Sequence, residues 1–124
     1  VYEFPAGLVE TGEAMTDAAV REFHEETGLH LKVIPADDMY TKPRFTTVGM
    51  TDEACGMVYG YASGVPDNRF EESSEDIQVV LADKKEVRRI LKEENVAMMC
   101  AYMLLHFLKS EGDPLGFVEM QEKR

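Results

Sequence analysis

Between Gly7 and Leu29 the chain reads GLVETGEAMTDAAVREFHEETGL, and its spacing predicts a helix carrying Glu22, Glu25 and Glu26 within five positions. On a helix, positions i, i+3 and i+4 share a face, so these three carboxylates project together over an arc of about 100°. Ala19, Val20, Phe23 and Thr27 fall on another side, read as the face that packs on a sheet. Such a helix must lie between a core and an ionic site. Carboxylates about 6 Å apart repel by roughly 3 kcal/mol per pair at an effective dielectric near 20, so the acidic face needs a cation. Mg²⁺ or Mn²⁺ would supply one, since hard cations prefer oxygen ligands and Mg²⁺ is commonly shared between carboxylates and substrate phosphates. Arg21, four residues before Glu25, offers one of the carboxylates an ion pair as well.

An isolated glutamate pair on a helix is ordinarily a solvated face. Here the pair belongs to a longer pattern of Gly7, Glu13, Arg21, Glu22, Glu25, Glu26 and Gly28. Seven fixed positions at ordinary residue frequencies coincide by chance with odds of roughly 10⁻⁸ per start site, so the pattern needs a chemical reason.

The rest of the composition narrows the class of partner. A formal net charge of -11 disfavours nucleic acid and acidic membrane surfaces. It also means that an anionic substrate needs bound cations as intermediaries. No apolar run approaches the ~18 residues of a spanning helix, and no signal peptide is visible. Cys55 and Cys100 form no metal-spacing motif and are read as ordinary buried thiols in a reducing, cytoplasmic setting. At 124 residues, one domain with one core is expected.

Along the chain, residues 1–4 look like the end of a strand, and Pro5, Gly7 and Gly12 mark a loop. Thr16 is expected to cap the acidic helix, with Asp17 in its first turn and Gly28 at its left-handed stop. A strand follows from Leu31, broken near Pro35, and then a loop from Thr41 to Glu53. Cys55 to Ala62 and Ile77 to Leu81 are expected strands, separated by an acidic loop. Asp83 and Glu86 form a capping box for a helix to about Glu93, and Asn95 is expected to cap a last helix to Lys109. Strand, helix, strands and two helices make a mixed α and β domain.

The spacing Gly7, five residues, Glu13, seven residues, Arg21-Glu22-Phe23, one residue, Glu25-Glu26, one residue, Gly28-Leu29 resembles a complete Nudix box. The resemblance implies an α/β fold, a Nudix-type α/β/α sandwich with a mixed sheet. It also implies metal-dependent hydrolysis of a nucleoside diphosphate linked to another group. Phe4-Pro5-Ala6-Gly7-Leu8-Val9-Glu10 and Gly49-Met50-Thr51-Asp52-Glu53 further resemble the ADP-ribose pyrophosphatase subfamily, which implies ADP-ribose as substrate and a homodimer as the assembly. By the same resemblance Glu22, Glu26 and the carbonyl of Ala6 are metal ligands, and Glu25 assists catalysis. Glu75 would be a metal ligand or general base, with Glu72 as its competitor. Gly49, Met50 and Glu53 would meet substrate, and Gly7, Glu13, Arg21 and Gly28 would hold the box in shape. Members of that subfamily carry a longer segment before the box, whereas six residues precede Gly7 here, so the N-terminal strands of the sheet are expected to be missing. The alternatives are a Nudix hydrolase of another nucleotide sugar or nucleoside polyphosphate, and a Nudix-fold module that binds ADP-ribose without cleaving it.

The remaining conspicuous residues have plainer readings. Asp37 and Asp38 are taken as a turn, and Lys84, Lys85, Arg88 and Arg89 as a solvated helix face. Met98, Met99, Met103, Leu104 and Leu105 are taken as core, with part of that face available to a second subunit.

Overall fold

The computed structural model describes residues 1–67 and 78–118. In chain order the elements are α1 (Met15–Thr27), β1 (His30–Val33), α2 (Asp38–Thr41), β2 (Arg44–Phe45), β3 (Ala54–Cys55), β4 (Gly60–Ser63), α3 (Lys84–Glu93) and α4 (Met98–Lys109). The fold is of the α/β class. Among the described residues its strands form two small antiparallel sheets, β1 with β4 and β2 with β3. β1 and β4 run in register from His30 opposite Ser63 to Val33 opposite Gly60. A parallel bridge joins Tyr2 to Val96, with the Tyr2 amide donating to Asn95 O and the Ala97 amide to Tyr2 O.

The acidic helix forms where the spacing predicts, but its start is set differently. Its N-cap is Ala14, with no side-chain cap, so Thr16 lies inside the first turn rather than before it. Asp17 is in that first turn, favourable at the positive end of the helix dipole. The C-terminus is as expected: Gly28 adopts φ 76° and its amide donates to His24 O at 2.8 Å. Gly28 serves a second purpose. A Cβ there would lie 2.6 Å from Asp67 Cβ and 2.7 Å from the Asp67 backbone N and O. The Asp67 amide donates to Thr27 O, so the end of α1 is docked directly on the chain that leaves β4.

The core is small. Ala18, Leu29, Tyr59, Val87, Ile90, Cys100 and Val118 are its buried apolar members. Thr27 is the buried polar residue, and it is satisfied. Its hydroxyl donates to Phe23 O at 2.6 Å and accepts from the Leu29 amide at 3.0 Å, which removes the cost of burying it. On α1 the burial falls on Ala18 and Thr27, while Val20 is exposed. On α4 only Cys100 is buried, and Met98, Met99, Tyr102 and Leu105 are exposed, so the helix is not the core element its apolar content implies.

Five further expectations are corrected. The strand from Cys55 to Ala62 is two short ones, β3 and β4, because the chain between them turns away and Met57 donates its amide to Thr41 O. Residues 78–81 form no strand, and Ile77 lies outside the described residues. Asp37 caps a one-turn helix, accepting from the Met39 amide, while Asn95 does not cap α4, whose N-cap is Ala97. The basic run on α3 is not simply solvated. Arg89 pairs with Glu86, Glu93 and Glu94, and Lys84 donates to Ser110 O while lying over the Phe107 ring, joining the start of α3 to the end of α4. The Asp83–Glu86 cap forms as expected, with Asp83 Oδ1 accepting from the Glu86 amide.

Candidate active site

Arg21 organises the acidic face. Its guanidinium grips Glu13 with two parallel bonds, Nε to Oε2 at 3.0 Å and Nη2 to Oε1 at 2.9 Å. Nη1 reaches Glu22 at 2.8 Å and Glu25 at 3.4 Å, and Nη2 also donates to the Leu8 carbonyl at 3.1 Å. One planar fork therefore ties two carboxylates of α1 to the loop before it, a geometry lysine cannot reproduce. The Arg21–Glu25 pair is the one spacing foretells. The bidentate contact to Glu13 depends on the loop folding back over the helix, and the contact to Glu22 joins neighbours on the helix itself. Much of the carboxylate repulsion is thus offset by an arginine of the chain itself.

The electrostatics follow. The Arg21 hydrogen bonds, with the Glu10 amide as second donor, hold Glu13 down from 4.5 to about 2. Glu13 and Glu22 in turn raise Arg21 above its already high value, so both ends of the pair stay charged.

The loop preceding the helix lies directly against the acidic face. The Ala6 amide donates to Glu26 Oε2 at 3.1 Å. At Gly7 a Cβ would fall 2.1 Å from Glu22 Cδ and 2.4 Å from Glu22 Oε2, so only glycine lets the backbone cross that carboxylate. The peptide at Ala6–Gly7, Glu22 and Glu26 adjoin one another. These are hard oxygen donors, and two carboxylates beside a backbone segment suit an ion of the Mg²⁺ kind, which needs few protein ligands when phosphates complete its shell. Among the described residues no three His, Cys, Asp or Glu side chains converge as a ready-made metal cage.

The other candidate residues lie elsewhere. Gly49, Met50 and Glu53 sit in the loop of the β2–β3 hairpin; Gly49 has φ 90°, and Met50 is 82% exposed. The hairpin is seated near the start of α1: a Cβ at Gly56, just after β3, would meet Met15 Sδ at 2.4 Å. Glu75 and its competitor Glu72 lie outside the described residues. Sequence reasoning passed over Thr46, whose hydroxyl donates to Glu53 Oε1 at 3.0 Å. The cross-strand pairing of the hairpin is the signal that would have found it. His24, in the last turn of α1, and His30, at the start of β1, stack at 4.6 Å. Cys55 and Cys100 are both free thiols, and burial pushes each above the usual thiol range.

The sequence that builds this loop and acidic helix matches a known family. The NUDIX domain family matches residues 1–103, and the chain belongs to the Nudix family. The chain is similar to a Caenorhabditis elegans protein described as "Putative nudix hydrolase 2", with 36% identity over 88 residues. That match takes in 66% of this chain and 38% of the relative, so the chain spans well under half the length of the curated protein it resembles. No solved structure matches it.

Proposed function

We propose that this chain carries the metal-binding and hydrolytic site of a Nudix pyrophosphohydrolase acting on a nucleoside diphosphate linked to another group. ADP-ribose, cleaved to AMP and ribose 5-phosphate, is the first substrate to try. The observation that carries the reading is the seating of the Ala6–Gly7 backbone on Glu22 and Glu26, which brings both carboxylates of the acidic face against one stretch of the loop. The family generally uses divalent metals such as Mg²⁺ or Mn²⁺. Glu22, Glu26 and the Ala6 carbonyl would hold the ion, which supplies charge neutralisation on the diphosphate and a more acidic attacking water.

The chain's own residues do the rest. Arg21 holds Glu22 and Glu25 to the loop, so the ligand face does not spread under its own repulsion. Glu13 anchors Arg21 from the loop side. Glu25 adds negative charge beside the ligands, and Glu75 is assigned by resemblance as further ligand or general base. Gly49, Met50 and Glu53 are proposed to meet the group attached to the diphosphate. A homodimer and a cytoplasmic setting complete the reading, supported by the subfamily resemblance and by the two free thiols. Among the described residues no helix is long and apolar enough to cross a membrane.

A panel of ADP-ribose, nucleotide sugars, diadenosine polyphosphates and nucleoside triphosphates with Mg²⁺, read by phosphate and AMP release, tests the proposal. Turnover of ADP-ribose above the others is expected. Glu26→Gln is expected to lower kcat by about a hundredfold or more, and wild-type rates in that variant would remove Glu26 from the ligand set. Tight binding of ADP-ribose without turnover would replace the enzyme with a sensor module.

A further inference from the structure

The loop of the β2–β3 hairpin is built from its own hydrogen bonds. The Thr46 amide donates to Glu53 O at 3.1 Å, and the Met50 and Thr51 amides both donate to Thr47 O at 3.1 Å. The Glu53 amide donates to Thr51 Oγ1 at 2.9 Å. The Glu53 side chain is held as well. Its Oε1 accepts from the Thr46 hydroxyl at 3.0 Å and from the Cys55 thiol at 3.9 Å. Among the described residues every hydrogen bond of this carboxylate falls on Oε1, and Oε2 takes part in none. An exposed glutamate is otherwise free to sample several rotamers, and ordering it on binding costs affinity. Fixing one oxygen in advance removes part of that cost and leaves the other oxygen as an acceptor for a donor from outside the chain.

We propose that Thr46 is a positioning residue for substrate: its hydroxyl holds Glu53 Oε1 so that Oε2 accepts from a hydroxyl of the group linked to the diphosphate. The proposal rests on the reading of Glu53 as a substrate contact. Thr46 acts through Glu53 and does not itself touch substrate. A threonine suits the task because its branched side chain has few χ1 choices within a strand-like segment, so the hydroxyl stays where the carboxylate needs it.

The test is a double-mutant cycle on the full chain with ADP-ribose and Mg²⁺, or with whichever panel member is turned over fastest. Thr46→Val is expected to raise KM about three- to tenfold while kcat stays within about twofold, the pattern of lost ground-state binding. Thr46→Ser, which keeps the hydroxyl, is expected to restore most of the wild-type KM. In a Glu53→Ala background Thr46→Val is expected to add no further cost, because the group it orients is gone. An unchanged KM in Thr46→Val, or the same fold-cost with and without Glu53, overturns the proposal while leaving the enzyme reading in place. If the protein binds without turnover, calorimetric Kd values for ADP-ribose across the same variants replace KM. Neither binding nor turnover by the wild type overturns both readings.

Discussion

Gly28→Ala separates two reasons for a glycine at the end of α1. Gly28 has φ 76°, in the left-handed region, where a Cβ costs about 1–2 kcal/mol. Part of this, about 0.4–1 kcal/mol, is returned because alanine restricts the unfolded chain. Gly12, with φ 81° and nothing within 4 Å of a Cβ, is subject to those two terms alone. At Gly28 the Cβ also runs into the Asp67 backbone, at 2.7 Å from both N and O. Overpacking against atoms that cannot step aside adds about 1–3 kcal/mol. Gly28→Ala should therefore cost about 2–4 kcal/mol and Gly12→Ala about 1 kcal/mol or less. For 124 residues the unfolding entropy near 60 °C is about 0.26 kcal/mol/K, so a 3 kcal/mol loss lowers Tm by about 11 °C. Urea titrations of the two variants, with m compared to wild type, measure the difference directly. Equal costs at the two positions would refute the docking of α1 on Asp67.

Three other outcomes are expected. Because the folded Glu13 is held at about 2 against 4.5, its ionised form stabilises the fold above about pH 4.5, and this contribution is lost as pH falls towards 2. Glu13→Gln should flatten that part of the stability–pH curve, and an unchanged slope between pH 2 and 4.5 counts against the pairing. Arg21→Lys keeps the charge but loses the fork on Glu13 and the reach to Leu8 O, so kcat should fall between about ten- and a hundredfold. A lysine variant with full activity would mean that charge alone suffices there. Between the two candidate glutamates outside the described residues, Glu75→Gln should cost more in kcat than Glu72→Gln, and the reverse order would move the proposed general base to Glu72.

Local sequence already determined a good deal about this protein. The acidic helix and its glycine stop and the Asp83–Glu86 cap rest on spacings shorter than one element, where i, i+4 geometry and cap chemistry act without help from the rest of the chain, and the family rests on one loop and helix read in order. The same local reasoning misplaced the caps at Thr16 and Asn95. Both residues are able to cap, but which residue does so depends on where the preceding chain enters, and Asn95 instead receives the Tyr2 amide through its carbonyl. Likewise, an unbroken apolar run at 55–62 reads as one strand until Met57 turns to Thr41. What only the tertiary structure decided is how the acidic face is shared out. The sequence presents three glutamates in need of a cation. The fold answers first with Arg21, which bonds Glu22 and Glu25 while clasping Glu13 from the loop, and lays Ala6 and Gly7 across Glu22 and Glu26. The contacts from the loop join residues up to twenty positions apart, and no periodicity encodes them, because they exist only once the loop has closed over the helix.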